Sequence, residues 1–166
     1  EMQRSLVGSE MCIRDRLHPE VLGKKIELVV ADNKSDKAEA ASVAARLIEK
    51  DKVSVIVGSY GSSLSMAAGN IVKDSKVPAV GTSCTNPQVT ANNDYYFRAC
   101  FIDPFQGTVM ANFAKNDLQA TKAAILIDNS SDYAKGLAAF FKENFIKNGG
   151  TVVAEESYLQ TVSYTH

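Results

Sequence analysis

The sequence predicts an α/β fold in which parallel strands are covered by helices on both faces. Short apolar runs rich in β-branched residues alternate along the chain with segments whose apolar residues recur at helical spacing. The strand candidates are nearly continuous apolar runs, which is typical of parallel strands buried on both faces. Polar loops rich in Gly, Ser and Thr follow two of them, and in such folds ligands bind beyond the carboxyl ends of strands.

The first half of the chain contains three strand candidates and two helix candidates. The polar stretch 32–36 supplies turn and N-cap residues, and Ala38, Ala41, Ala45 and Ile48 fall on one face of the helix that follows it. The predicted elements are a strand at 25–31, a helix ending near residue 50, a strand at 53–57, a helix at 62–73 and a strand at 76–80.

The second half continues the alternation. Asp103 is predicted to cap a helix with Pro104 at its first position, where proline fits best. Phe140, Phe141 and Phe145 share one face of a later helix. The predicted elements are a strand at 95–99, a helix from 103 to about 115, a strand at 121–127, a helix at 132–147 and a strand from 151.

Composition and charge exclude several classes of function. The chain has 166 residues, enough for one domain or one and a half. Its formal net charge of -1 argues against a nucleic-acid partner or an anionic membrane surface. No apolar run approaches the roughly 20 residues of a membrane span.

Histidine and cysteine usage leaves little room for catalysis or metal binding. His18 and His166 lie near or at the ends, so the interior lacks the side chain used in Ser-His-Asp, Cys-His and His-metal sites. Cys12, Cys84 and Cys100 have no metal-like spacing. We expect no metal, no cofactor and no enzymatic activity. We expect the cysteines to be buried free thiols, and a disulfide between Cys84 and Cys100 is the alternative.

The two ends of the chain do not fit the pattern of the interior. Residues 5–16 resemble a peptide that arises when sequencing-adapter DNA is translated, and residues 162–166 resemble the start of a second one. We therefore expect residues 1–17 and 161–166 to be foreign to the fold.

The loop at 58–63 offers backbone N–H and hydroxyl donors at the start of a helix. It lacks the lysine of a P-loop and the Gly-x-Gly-x-x-Gly spacing of a dinucleotide site, so it suits a single carboxylate better than a triphosphate. The alternative is an ordinary helix start in which Ser62 caps its own backbone. The loop at 81–87 adds Ser83 and Thr85, which suit the ammonium and carboxylate ends of a small zwitterion, although Thr-Asn-Pro is also a common turn.

Four motifs together resemble the bacterial branched-chain amino-acid (Leu/Ile/Val) binding proteins, the periplasmic type I substrate-binding proteins of ABC importers. The motifs lie at residues 25–32, 58–63, 85–87 and 128–136. The resemblance covers about residues 23–160 and implies two α/β lobes, a partial first lobe at 18–100 and a partial second lobe at 101–160. It also implies that the family's first strand and helix are missing before Gly23, and that the later half of the second lobe is missing.

The resemblance implies a set of ligand-binding residues at the cleft between the lobes. The Ser62 hydroxyl and N–H would hold the ligand carboxylate, the Ser83 carbonyl would take the ammonium, and Thr85 would touch both ends. Tyr133 would close on the ligand from the second lobe. The full set is Tyr60, Gly61, Ser62, Ser83, Cys84, Thr85 and Tyr133.

The implied function is capture of an amino acid, branched-chain or related, and its delivery to an ABC permease. The implied location is periplasmic or extracellular and lipid-anchored, with no nucleic acid involved. The pair Ser83-Cys84 leaves open a polar amino acid, a short amide or a urea-like ligand. The alternatives are a sensor or regulator of the same fold and an α/β enzyme; the missing interior histidine and the absence of a Gly-x-Ser-x-Gly motif weigh against the enzyme.

Overall fold

The computed structural model describes residues 20–159. The predictions for residues 1–17 and 161–166 lie outside this range. The chain divides between Val30 and Ala31 into two compact units. Within residues 20–159, no helix is both long and apolar enough to cross a membrane.

The first unit contains an antiparallel hairpin of β1 (Glu20–Val21) and β2 (Lys24–Lys25). The predicted strand at 25–31 is wrong, because strand structure ends at Lys25 and residues 26–30 belong to none of the strand pairs in the described part of the chain. A β-branched run becomes a strand only where a partner strand supplies hydrogen bonds. Val30 is accordingly 80% exposed.

The second unit begins with two helices and a three-stranded parallel sheet. The helices are α1 (Lys37–Glu49) and α2 (Ser62–Ser75), and the strands are β3 (Ile56–Val57), β4 (Ala79–Gly81) and β5 (Tyr96–Arg98), paired in the order β3-β4-β5. These strands are shorter than predicted, because each one ends where its hydrogen bonds to the neighbouring strand end.

Helix α1 is capped as predicted, since the Asp36 carboxylate accepts a hydrogen bond from the Glu39 amide at 2.9 Å. Its buried residues are Ala40 and Ala44. Of the four residues predicted to share an apolar face, Ala38 is exposed and Ala41, Ala45 and Ile48 are partly buried. The stripe is rotated because α1 packs against α2, a partner that helical periodicity does not identify.

The core of this sheet lies on one face. The register aligns Ile56, Ala79 and Tyr96, and this row packs with Val72 of α2. The next row along the strands aligns Val57, Val80 and Phe97 and points to the opposite face. Val57 is 50% exposed and Phe97 is 53% exposed, so among the described residues that face is open.

The remaining elements form a second parallel pair of strands with two helices. They are a 3-10 turn (Pro87–Val89), α3 (Asp103–Asn112), a π-helical turn (Phe113–Asp117), β6 (Lys122–Asp128), α4 (Asp132–Lys147) and β7 (Thr151–Tyr158). Strand β6 pairs with β7 in parallel, with an irregularity between Ala123 and Ala124. The α4 bounds agree with the prediction, whereas α3 ends at Asn112 rather than near residue 115. The predicted cap of α3 is wrong, because the N-cap residue is Ile102, Asp103 is the first helical residue, and no side chain makes a cap hydrogen bond.

Helix α4 covers this second sheet and packs closely against α3. A Cβ added at Gly107 of α3 would lie 2.6 Å from Phe140 Cβ, so glycine permits this approach. Phe145 is fully buried and its ring stacks on Phe141 at 5.4 Å between centroids. Alternating strands and helices with parallel pairing confirm the predicted α/β class.

Candidate functional site

The start of α2 meets the loop that follows β4. Gly61 precedes the helix with φ of +90°, and no side chain caps the first turn. Ser62 is 1% exposed, and its Oγ accepts a hydrogen bond from the Asn86 amide at 3.1 Å. Ser62 therefore does not cap its own helix but joins the two loops that follow β3 and β4.

The loop after β4 carries two buried hydroxyls that lack partners. Ser83 Oγ and Thr85 Oγ1 are inaccessible to solvent and have no hydrogen-bond partner among the described residues. Buried hydroxyls in native proteins are nearly always paired. These two orphaned hydroxyls lie in the loop that contacts the start of α2 through Asn86.

Arg98, at the end of β5, fixes the shape of this loop. Its Nη1 donates to the carbonyls of Cys84 and Asn86, both at 2.9 Å. Its Nη2 donates to the Pro87 carbonyl at 3.1 Å and to Thr90 Oγ1 at 2.6 Å. One planar guanidinium thus binds four acceptors within seven residues, which holds Thr85 in a defined position.

Asp103, at the start of α3, lies against the same loop. Its amide donates to the Thr85 carbonyl at 3.0 Å, and its side chain is 0% exposed. Neither carboxylate oxygen has a hydrogen-bond partner among residues 20–159. Burial raises the pKa of the Asp103 carboxyl, and the nearby Thr85 hydroxyl and Arg98 charge oppose that rise.

Asp132, at the start of α4, joins this helix to the two loops. Its amide donates to Ser63 Oγ at 2.9 Å, and its carbonyl accepts from Asn86 Nδ2 at 3.0 Å. Its carboxylate lies 2.7 Å from Lys37 Nζ and 3.2 Å from Lys135 Nζ. The hydrogen bond from Lys37 lowers the pKa of the Asp132 carboxyl.

The other predicted binding residues occupy different environments. Tyr133 is half-buried, and its hydroxyl accepts from Gln106 Nε2 at 3.4 Å, whereas the Tyr60 side chain is 77% exposed. Cys84 is 0% exposed within the core beside Val72 and Tyr96, so only its backbone is left to face the site. Cys84 and Cys100 are free thiols, and burial raises the pKa of the Cys84 thiol.

Two surface cavities lie away from these residues. One of about 410 Å³ is lined by β6, α4 and β7, and one of about 260 Å³ is lined by α2 and residues 88–93. Neither is lined by a predicted binding residue.

A comparison with known protein families identifies the family to which this chain belongs. A family model described as periplasmic binding protein matches residues 3–165. The chain belongs to the periplasmic binding protein family. This confirms the family expected from the four motifs.

Individual relatives of this periplasmic binding protein agree with that assignment. An amino acid binding protein of Pseudomonas aeruginosa is 37% identical over 70% of this chain and 31% of its own length. The structure of a leucine binding protein, LivK, from Thermotoga maritima has a TM-score of 0.91 and 40% identity, over 95% of this chain and 45% of that one. The chain thus spans less than half the length of these relatives.

Two further structures of related proteins contain ligands. LivJ from Streptococcus pneumoniae, in complex with isoleucine, has a TM-score of 0.83 and 36% identity, over 92% of this chain and 43% of that one. A solute binding protein of an ABC transporter from Rhodopseudomonas palustris, in complex with 3,4-dihydroxybenzoic acid, has a TM-score of 0.81 and 28% identity, over 92% and 42%.

Sequence reasoning missed several residues that shape the candidate site. Arg98 was indistinguishable from a surface residue at a strand end, and Asp103 from an ordinary helix cap. Lys37 and Asp132 are 95 positions apart, and nothing local links them. The one usable signal was Asn86, which lies in the Thr-Asn-Pro motif and contacts both Ser62 and Asp132.

Proposed function

We propose that this chain is part of the substrate-binding component of an ABC importer. It captures an amino acid, branched-chain or related, between a first lobe at 18–100 and a second lobe at 101–160, and delivers it to a membrane permease. The names of its relatives support this role, since they include amino-acid binders and transporter binding proteins. The protein binds its ligand without converting it, and it works in the periplasm or as a lipid-anchored extracellular protein.

The observation that carries the proposal is the contact between Ser62 and the loop after β4. The Ser62 Oγ hydrogen bond from the Asn86 amide joins the uncapped start of α2 to the loop that carries the unpartnered hydroxyls of Ser83 and Thr85, which supports a shared site. The helix N-terminus favours a carboxylate, because its N–H groups and dipole present positive potential. The Ser83 carbonyl and Thr85 Oγ1 supply acceptors for an ammonium group.

The second lobe completes this arrangement from the other side. Tyr133 follows Asp132, which already contacts Ser63 and Asn86, so the first turn of α4 lies against both loops. Closing such a lobe over a ligand is the usual switch in proteins of this type. In the proposed complex Tyr133 covers the ligand, and Tyr60 and Gly61 border it.

Ligand identity is tested with the full-length protein that carries this chain. A thermal-shift panel contains the twenty amino acids, small amides, urea and 3,4-dihydroxybenzoate, the last because a related protein binds that acid. We expect the largest stabilisation from an aliphatic amino acid, since preferential binding to the folded state raises Tm. Stabilisation by no amino acid would contradict the proposed function.

The site itself is tested by calorimetry on two variants. Ser62→Ala and Thr85→Ala are each expected to weaken binding of the best amino acid by about 1–3 kcal/mol, the cost of an unmade hydrogen bond to a charged group. Ser75→Ala, at the exposed far end of α2, is the matched control and should bind like the wild type. Unchanged affinity in both site variants would rule out this location.

A further inference from the structure

A fully buried carboxylate next to a ligand-binding hydroxyl requires a physical explanation. Asp103 is 0% exposed, and neither of its carboxylate oxygens has a hydrogen-bond partner among the described residues. An uncompensated buried carboxylate destabilises a fold. A buried carboxylate without a partner in a native protein calls for a functional explanation, and we look for it in the polar groups that surround Asp103.

Arg98 does not neutralise this carboxylate by a direct contact. Both of its terminal nitrogens donate to the loop after β4, namely to the carbonyls of Cys84, Asn86 and Pro87 and to Thr90 Oγ1. No salt bridge to Asp103 is formed among residues 20–159. The Asp103 oxygens thus remain available as strong acceptors.

Thr85 is the neighbour placed to use them. The Asp103 amide donates to the Thr85 carbonyl at 3.0 Å, which fixes the two residues side by side. The Thr85 hydroxyl is close enough to oppose the rise in the Asp103 pKa, although it does not meet hydrogen-bond geometry in this structure.

We propose that Asp103 is a positioning residue that sets the direction of the Thr85 hydroxyl proton. This inference rests on the proposed function. An ionised carboxylate only accepts hydrogen bonds, and a threonine hydroxyl has one proton to give. When that proton points to Asp103, Thr85 Oγ1 presents only lone pairs to the ligand. Thr85 then recognises an N–H donor and disfavours a second acceptor.

The proposal predicts how the site discriminates between two ligands that differ only in the amine. L-Leucine and 4-methylpentanoate share a side chain and a carboxylate, but only leucine has an ammonium group. If Asp103 orients the Thr85 hydroxyl, replacing Asp103 with a residue that can donate to Thr85 Oγ1 weakens the binding of leucine. The binding of the amine-free acid is then unaffected. A merely structural role would weaken both ligands by the same factor.

The experiment measures the ratio of the two dissociation constants by calorimetry in the full-length protein, with 4-methylpentanoate measured by displacement. We expect Asp103→Asn to reduce the preference for leucine by about tenfold or more, the range of a hydrogen bond to a charged group. Asp74→Asn, an exposed carboxylate on α2, is the matched control and should keep the ratio.

A double-mutant cycle separates the proposed route from other effects. In a Thr85→Val background, which has no hydroxyl, Asp103→Asn should leave the ratio unchanged within about twofold. If Asp103→Asn does not fold, Asp103→Ser takes its place, because it also removes the carboxylate and its hydroxyl can donate to Thr85 Oγ1. Equal loss for both ligands, or the same effect with and without the hydroxyl, would overturn the inference. A wild type that binds no amino acid would instead overturn the proposed function, and this inference with it.

Discussion

Ser63 Oγ accepts a hydrogen bond from the Asp132 amide at 2.9 Å, so the first turn of α2 is joined to the first turn of α4. Asn86 and Lys37 add two more contacts to the same residue, through its carbonyl and its carboxylate. All three partners lie before residue 100. Asp132 therefore connects the two proposed lobes without belonging to the predicted ligand-binding set.

Removing the Ser63 hydroxyl should weaken ligand binding without touching the ligand. Ser63→Ala in the full-length protein is expected to raise Kd by about two- to tenfold, the equivalent of one neutral hydrogen bond. The loss should appear mainly as faster dissociation, since in the proposed closed form this bond joins the two lobes. Stopped-flow measurement checks this, with Ser54→Ala at an exposed position as control. Unchanged dissociation would show that the contact does not hold the closed form.

The Lys37–Asp132 pair should make stability depend on acid pH. The pKa of Asp132 is lowered in the folded state, mainly by the hydrogen bond from Lys37. A lowered carboxyl pKa contributes stability that is present above the unfolded value of about 3.9 and is lost as pH falls through the folded pKa. Lys37→Met should therefore flatten the acid side of the stability profile.

Urea unfolding between pH 2 and about pH 6, a range that extends below the unfolded pKa, tests this comparison with the wild type. Lys52→Met, at an exposed position, is the matched control and should leave the slope intact. Identical slopes in wild type and Lys37→Met would contradict the assignment of the shift to Lys37.

Asp103 should have the opposite effect. Burial raises its pKa in the folded state, so the charged form is disfavoured there and stability increases as pH falls from neutrality through the folded pKa. Asp103→Asn is expected to raise the free energy of unfolding at neutral pH, and the gain should shrink toward acid pH. A loss of stability that is present at neutral pH and shrinks toward acid pH would show instead that the ionised carboxyl is stabilised in the fold.

Arg98 should be irreplaceable by lysine. Arg98→Lys keeps the charge but cannot reproduce four donor contacts with fixed geometry, so carbonyls of the loop after β4 lose their partners. We expect a loss of about 1–3 kcal/mol in stability from the unpaired groups, with a weaker affinity for the ligand. Arg46→Lys, on the exposed side of α1, should change neither the stability, measured by denaturation, nor the ligand affinity, measured by calorimetry.

Two glycine substitutions should have opposite effects on stability. A Cβ at Gly107 would lie 2.6 Å from Phe140 Cβ and 2.8 Å from its carbonyl carbon, so Gly107→Ala must separate α3 from α4 and should cost about 1–3 kcal/mol. A Cβ at Gly69 would meet only Asn93 Nδ2, at 3.6 Å. Gly69→Ala, inside α2, should therefore be neutral or stabilising by up to about 1 kcal/mol. Thermal unfolding of both variants checks the contrast.

The sequence predicted the parts of this protein that local chemistry determines. The helix at α4 followed from the spacing of its apolar residues, and the Asp36 cap followed from residue type. Strand lengths could not be predicted, because they depend on a partner strand. Residues 26–31 were predicted as a strand for this reason but form none. The roles of Arg98 and Asp103 depend on which carbonyls and hydroxyls surround them after folding, and single-sequence patterns do not contain that information.

The uncovered sheet faces have a practical consequence for handling these 166 residues in isolation. Val57 and Phe97 on one sheet, and Leu126 and Val153 on the other, are each at least half exposed. Exposed apolar patches of this kind promote aggregation. We expect the segment expressed alone to bind ANS with increased fluorescence, to co-purify with chaperones and to melt without a sharp transition. Binding assays on the isolated segment would therefore measure non-specific binding to its apolar surfaces rather than specific ligand binding.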